Sequence, residues 1–317
     1  MDARTFLGLE PRNGDGAEAS LGDGPEARSS EGTQWRLTVT SSIATPGRFL
    51  FGGCGLAAGI ESMERASGRP CVWASAQYLS YAPVGSVLDL DVTLAVTGHQ
   101  MTQARCVGRV HDQEIFTVNA TLGRRSMEHT GMWAQAPEVR GPEVSLPRDR
   151  GVEFADTIMA RVDTRLADGR QFRELDGTPG SGRSALWCRM PDLLEPSAAS
   201  LAVLGDMVPS GVAQALGIPA GGNSLDNTLR VVNLVPTEWV LVDLRIHAIE
   251  HGFGHGLAHL WAEDGSLLAT ASQSVIVRLW DGRKPGERKR RVPTLPSEGL
   301  TPTDSSDGLA PTVPSES

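Results

Sequence analysis

Two stretches of small and apolar residues decide the fold of this chain. Residues 52–67 read GGCGLAAGIESMERAS, and residues 197–216 read SAASLAVLGDMVPSGVAQAL. In both, apolar residues recur every three to four positions, which predicts a helix with one apolar face. Each stretch is followed by a glycine, Gly68 or Gly217, as helix C-termini often are. Within the second stretch, Pro209 predicts a break or a kink.

Strands follow each helix. Apolar and polar residues alternate with a period of two, which predicts long strands with one face on a core. They cover residues 35–43, 87–96, 238–249 and 266–279. The two series of elements keep one spacing, because Gly53 recurs as Gly205 and Asp91 as Asp243 (243 − 91 = 152). The chain is therefore predicted to contain one unit twice.

A helix wrapped by a curved antiparallel sheet is the hotdog arrangement. We predict an α+β protein with two tandem hotdog domains, each a long helix wrapped by a curved antiparallel sheet. The first covers residues 35–125 and the second residues 151–282, with a linker over 126–150. Residues 1–34 and 283–317 hold few apolar residues and are predicted to be mostly disordered.

Composition limits the partners. The formal net charge is -9, and an acidic protein is a poor general binder of nucleic acid. No two of the four cysteines have the spacing of a zinc site or a redox pair, so we expect free thiols and no metal. No apolar run approaches the roughly 20 residues of a membrane span, and no signal peptide is visible. We expect a cytoplasmic homo-oligomer without a cofactor.

Four short motifs occur in a fixed order. They are Phe49-Leu50-Phe51-Gly52-Gly53, Leu204-Gly205-Asp206, Ser224-Leu225-Asp226-Asn227-Thr228-Leu229 and Ala269-Thr270-Ala271-Ser272-Gln273. Over roughly residues 35–280 this set resembles the acyl-CoA thioesterase II family of double-hotdog enzymes. That family has an Asp in its second helix, a Thr or Ser two positions before an Asp, and a Gln in a final strand after an Asp-Gly turn. Asp206, Ser224 and Gln273 hold those positions.

The resemblance implies hydrolysis of an acyl-CoA thioester to a carboxylic acid and free CoA. Asp206 would be the general base, kept ionised by the positive end of a helix, while Ser224 and Gln273 would hold the water. Backbone N–H groups of Gly205, Met207 and Val208 would bind the thioester oxygen.

The repeat itself predicts how many sites the chain has. At a spacing of 152, the first unit has Cys54, Val72 and Thr121 in the places of Asp206, Ser224 and Gln273. Neither a carboxylate nor an amide is among them, so one active site per chain is predicted, in the second domain.

Each site residue has a structural alternative. An Asp near a helix start often caps it, a Ser before a strand often belongs to a turn, and a Gln in a strand is often solvated. The rival function is a non-catalytic acyl-CoA-binding hotdog module. A dehydratase or hydratase is disfavoured, because that chemistry uses a His and none lies in the helix or its flanking strand.

Other motifs are set aside. Four histidines recur every four residues, which on a helix would invite metal; glycines between them predict two strands and a turn instead. They are His247, His251, His255 and His259. Cys54 as a nucleophile would need a nearby base. The basic run over 283–291 is either a solvated tail or a contact for the phosphates of CoA.

Overall fold

The computed structural model describes residues 1–12, 33–193 and 195–280. Four α-helices lie in this part of the chain: α1 (Ala3–Leu7), α2 (Gly52–Ser67), α3 (Ala198–Gly205) and α4 (Val208–Leu216). Short 3₁₀ turns cover Ser41–Ile43, Val152–Phe154, Ile158–Arg161 and Phe172–Glu174.

The described residues form 14 strands in a single sheet, with antiparallel pairing throughout. The strands are β1 (Leu9–Pro11), β2 (Gln34–Thr38), β3 (Cys71–Tyr78), β4 (Val87–Thr97), β5 (Met101–Val110), β6 (Gln113–Gly123), β7 (Leu146–Pro147), β8 (Asp163–Asp168), β9 (Arg183–Arg189), β10 (Ala220–Ser224), β11 (Asp226–Val231), β12 (Val240–Glu250), β13 (Phe253–Ala262) and β14 (Leu267–Leu279). Their order is β1-β2-β4-β5-β6-β3-β11-β14-β13-β12-β9-β8-β7, with β10 paired to β14.

Pairing of β3 with β11 joins the two halves. Thr228 lies opposite Ser75 in this ladder, and their hydroxyls are 2.7 Å apart. The face of the sheet that meets α2 and α3 is apolar and closely packed, and its residues next to this seam are small, as Ala74 and Ala76 show. The strand-rich fold that the alternation of apolar and polar residues predicted is therefore present. Its sheet continues from the first half of the chain into the second.

The first helix has the predicted limits, Gly52 to Ser67, and ends on Gly68 in the left-handed conformation (φ 65°). The second is not one long helix, because it breaks just before Pro209, as the proline predicted. The helix stops at Asp206, and a new helix begins after Met207. Pro209 fits the first turn of α4, because the N–H that proline lacks has no partner within a helix there.

The N-terminal residues are more ordered than the sequence predicted. Residues 3–11 form α1 and β1; Phe6, Leu7 and Leu9 are buried, and β1 pairs with β2. Of the remaining segments that were predicted to be disordered, residues 13–32 and 283–317 lie outside the described residues. The linker contributes β7 to the second half, and the carbonyl of Arg140 accepts a hydrogen bond from the indole of Trp187 at 2.7 Å.

The spacing between the halves is not constant. Strands β4 and β12 follow the predicted 152 residues, because Asp91 pairs with Val107 as Asp243 pairs with His259. In the strands next to the seam the spacing is 153, as for Ser75 and Thr228. The register change moves the counterparts of the site residues by one position. They are Gly53, Cys71 and Ala120, not Cys54, Val72 and Thr121.

The closest approach of the two halves is at Gly53 of α2. A Cβ added there would lie 2.9 Å from the carbonyl oxygen of Ala202 and 2.9 Å from Cβ of Asp206. Both neighbours belong to buried backbone or a short side chain, so neither can move away easily. Glycine at this position therefore sets the distance between α2 and α3.

We predict that Gly53→Ala destabilises the protein by about 1–3 kcal/mol, the usual cost of overpacking a core. Thermal or urea denaturation measures this change. Gly98→Ala is the matched control, because a Cβ there would have one contact, at 3.4 Å, in an exposed turn. Equal stability of both variants would show that the helix contact is loose.

Candidate active site

The break between α3 and α4 places Asp206 under the sheet. Asp206 is the C-terminal cap residue of α3 and is 4% exposed. Ser224 is the last residue of β10, and Gln273 lies in β14 on the same side. The structure brings the three residues that the sequence singled out into direct contact.

Four hydrogen bonds hold the carboxylate and its neighbours. Oδ2 of Asp206 accepts from the backbone N–H of Gly53 at 2.5 Å. Oδ1 accepts from the hydroxyl of Ser224 at 3.3 Å and from the side-chain amide of Gln273. The same amide nitrogen of Gln273 donates to the oxygen of Ser224 at 3.0 Å. Each group donates or accepts in a way that suits an ionised Asp206.

The orientation of the Gln273 amide is fixed by the backbone. Its oxygen accepts a hydrogen bond from the N–H of Val208 at 3.1 Å, so its NH₂ group must face Asp206. This bond corrects the predicted oxyanion site. Val208 gives its N–H to Gln273, and Gly205 is the last residue of α3. Of the predicted backbone donors, this leaves at most Met207.

Gly53 is a site residue that the sequence did not reveal. Its N–H is among the free donors at the start of α2, and it reaches a carboxylate 153 residues away. A backbone N–H has no residue type by which a sequence could mark it. The glycines at the start of α2 were the available signal, because a residue without a side chain allows a close approach to its N–H.

The protonation of Asp206 differs from the prediction. Helix N-termini do lie beside it, but burial raises the pKa of Asp206 to about 7, against hydrogen bonds from Gln273, Gly53 and Ser224 that lower it. Desolvation of the charged form outweighs these bonds. The carboxyl group therefore gains and loses its proton near neutral pH, as a general base for reaction at that pH should.

Two further polar side chains lie near this site: Tyr78 is close to the carboxyl group, and Asn227 is next to Tyr78. Tyr78, from β3, has its hydroxyl buried close to Gly52, where an added Cβ would be 3.0 Å from the hydroxyl oxygen and 2.9 Å from Oδ2 of Asp206. Asn227, from β11, is 1% exposed. The sequence analysis assigned neither a role.

The remaining sequence candidates are not supported as reacting groups. Burial, with the charge of Asp206, raises the pKa of the Cys54 thiol far above its usual value, so the thiolate is disfavoured. The four histidines lie on β12, β13 and the turn between them, as predicted. Among the described residues no cluster of His, Cys, Asp or Glu could hold a metal ion. All four cysteines are buried and free.

Two cavities lie at the β7–β8 edge, away from this site. One, of about 390 Å³, is lined by Arg148, Arg150 and Arg165 among others. The second, of about 620 Å³, lies between the linker and β8. Neither includes Asp206, Ser224 or Gln273. The site was located by its hydrogen bonds and burial, not by its volume.

Contrary to the expectation from the sequence, the span Ala198–Leu216, which contains α3 and α4, is long and apolar enough to cross a membrane, with a mean hydropathy of 1.2. In the fold, 78% of it is buried against the sheet and α2. A core helix has this composition as well.

Comparisons with known proteins agree with this arrangement. A profile of the acyl-CoA thioesterase C-terminal domain matches residues 134–277. A crystal structure of a proposed thioesterase from Novosphingobium aromaticivorans is 33% identical, covers 78% of this chain and 96% of its own, and has a TM-score of 0.69. No curated protein matches the sequence significantly.

Two more distant structures share the fold. A hot dog protein of unknown function from Alicyclobacillus acidocaldarius is 20% identical over 78% of this chain and 94% of its own, with a TM-score of 0.70. An acyl-CoA thioesterase II from Mycobacterium marinum is 18% identical over 89% of this chain and 100% of its own, with a TM-score of 0.64.

The raised pKa of Asp206 gives a test of its burial. Because the folded protein binds this proton more tightly than the unfolded chain, ionisation costs stability between pH 4 and pH 7, by up to about 4 kcal/mol. Asp206→Asn cannot ionise. We predict that the melting temperature of Asp206→Asn minus that of the wild type rises from pH 5 to pH 8.

The pH dependence isolates this group, since the other ionisable residues are shared by both proteins. Asp264→Asn is the control, because Asp264 is in an exposed turn and its pKa is lowered by hydrogen bonds from Ser266. A difference for Asp206→Asn that stays flat with pH would show that its carboxylate is well solvated.

Proposed function

Because this chain belongs to the acyl-CoA thioesterase II family and is a thioester hydrolase, we propose that it hydrolyses acyl-CoA thioesters at Asp206, with Ser224 and Gln273 as positioning groups. The observation that carries this assignment is the buried carboxyl group of Asp206, which has a pKa of about 7 and contacts both other side chains. A base of this strength can take a proton from water as water attacks a carbonyl carbon.

The proposed reaction has two steps. Asp206 removes a proton from a water molecule while the oxygen of that water bonds to the thioester carbon, and the carbonyl electron pair moves onto oxygen. The C=O bond then forms again, the C–S bond breaks, and Asp206 returns its proton to the sulfur of CoA. Neither step requires a covalent enzyme intermediate.

Ser224 and Gln273 have different tasks in this proposal. Ser224 has a hydroxyl that can turn from Asp206 to a bound water, since a hydroxyl both donates and accepts. Gln273 cannot turn in the same way, because the Val208 N–H holds its oxygen. Its NH₂ group donates to Oδ1 of Asp206 and so fixes the orientation of the carboxylate.

The alternative is an acyl-CoA-binding module that uses the same fold without turnover. The pKa of Asp206, which is close to neutral pH, favours the enzyme. A general base needs such a pKa, whereas a site that only binds acyl-CoA gains nothing from it. A series of acyl-CoAs of increasing chain length separates the two: binding without release of CoA from any of them would favour the module.

We predict that Asp206→Asn lowers kcat by about 10²–10⁴-fold, the usual effect of losing a general base. Ser224→Ala and Gln273→Ala should lower it less, because each only positions other groups. Release of CoA thiol measures the rate. Thr121→Ala, on an exposed hydroxyl of the first half bonded to Gln103, should leave it unchanged. Near-normal turnover by folded Asp206→Asn would remove Asp206 from the mechanism.

The pH profile should report the same base. Below about pH 7 Asp206 holds a proton and cannot act, so kcat/KM should rise about tenfold per pH unit and level off above pH 7. A rise centred near pH 4 instead would indicate a solvated carboxylate or another base.

A further inference from the structure

Three buried polar atoms, on Tyr78, which is close to Asp206, and on Asn227, which is next to Tyr78, lack a hydrogen-bond partner. They are the hydroxyl of Tyr78 and both side-chain amide atoms, N and O, of Asn227, and none completes a hydrogen bond within the described part of the chain. Each unpaired buried group costs about 1–3 kcal/mol. A fold that keeps three of them together needs a reason other than stability.

The geometry of the seam places both side chains on the helix side of the sheet. Asn227 pairs with Ala76 in the β3–β11 ladder, and Tyr78 lies two residues further along β3, so their side chains share one face. Otherwise this face is apolar here, with Ala74, Ala76 and Leu229 buried. Tyr78 and Asn227 are a polar pair in an apolar layer, with one residue from each half.

The pair adjoins the carboxyl group through Gly52. An added Cβ at Gly52 would be 3.0 Å from the Tyr78 hydroxyl oxygen and 2.9 Å from Oδ2 of Asp206. Both atoms therefore lie close to the same point, and neither leaves room for a side chain at Gly52. A thioester oxygen held close to Asp206 would also be close to the hydroxyl of Tyr78.

Both members of the pair can donate a hydrogen bond. Burial, followed by the nearby charges of Asp206 and Asp226, raises the pKa of Tyr78 well above its usual value, and the adjacent side chain of Asn227 lowers it by less, so the hydroxyl keeps its proton. Asn227 offers an NH₂ group next to this hydroxyl. Two unoccupied donors in a buried site suit an oxygen that gains negative charge during a reaction.

We propose that Tyr78 and Asn227 bind the thioester oxygen and stabilise its negative charge when water attacks, a role that rests on the function proposed for Asp206. As the new C–O bond forms, the carbonyl electron pair moves onto this oxygen, which accepts hydrogen bonds from Tyr78 Oη–H and Asn227 Nδ2–H. When the C–S bond breaks, the pair returns to C=O. Neither residue loses its proton.

The unpaired state of these groups makes the test sharp. Tyr78→Phe removes only the hydroxyl, and Asn227→Leu replaces the amide by a side chain that already occurs at Leu229 on this face. We expect each variant to lower kcat about 10²–10³-fold, as loss of one oxyanion donor does, with little change in KM. Because no bond is lost in the resting protein, the melting temperature should stay level or rise.

The chain supplies a matched control in its other tyrosine. Tyr81 is 52% exposed and packs on the ring of Phe49, so Tyr81→Phe should keep normal turnover. Asp206→Asn, measured in the same series, separates two failures. If Asp206→Asn loses activity and Tyr78→Phe keeps it, the role of Tyr78 is overturned and that of Asp206 stands.

Two other results would also overturn the proposal. A lower melting temperature of Tyr78→Phe together with a higher KM would show that the hydroxyl supports structure or binding rather than the transition state. If the wild-type protein hydrolyses no acyl-CoA in the chain-length series, the proposed function itself fails, and the role of Tyr78 fails with it.

Discussion

The hydrogen bond from the N–H of Gly53 to the carboxylate of Asp206 is the contact on which this structure depends. At 2.5 Å it joins the first turn of α2 to the break between α3 and α4, and so joins the two halves of the chain. Both ends need small groups: a glycine on one side and a short acid on the other. The approach that makes this bond possible also shuts water away from the carboxylate, which is why its pKa rises rather than falls.

The same contact accounts for a single site in a repeated chain. Gly53 and Asp206 are counterparts at the 153-residue spacing, like Ser75 and Thr228, so each pair lies where the halves meet. Two carboxylates could not both occupy such a position, because a Cβ on Gly53 would already be 2.9 Å from that of Asp206. Two buried like charges would add repulsion to this clash. One half must therefore give up its acid, and the first half supplies an N–H in its place.

The periodicity of apolar residues predicted the helices and strands well, because an element with one buried face has apolar residues at regular intervals. The limits of α2 and the strand–turn–strand around His251 are examples. Properties that arise between distant segments were not predictable in this way. Pro209 marked the break between α3 and α4, but no residue pattern showed that Gln273 and Gly53 would hold the carboxylate of Asp206 at this break. A constant spacing likewise could not show that the register shifts by one residue near the seam.

Asp206 was predicted to be kept ionised by a helix dipole. The structure instead gives its carboxyl group a raised pKa, which suits a general base better. A carboxylate with an ordinary pKa is a poor proton acceptor, whereas one with a pKa of about 7 is a stronger base and is still about half ionised at neutral pH. The fold obtains this balance from opposing effects, with burial on one side and three hydrogen bonds on the other. Polar groups that lower the stability of the resting protein, such as Tyr78 and Asn227, gather at the same place. Hydrogen-bond donors that bind a charge formed only during the reaction have no partner in the resting protein. In this chain such donors lie where β3 pairs with β11, and they lower the stability of the fold there.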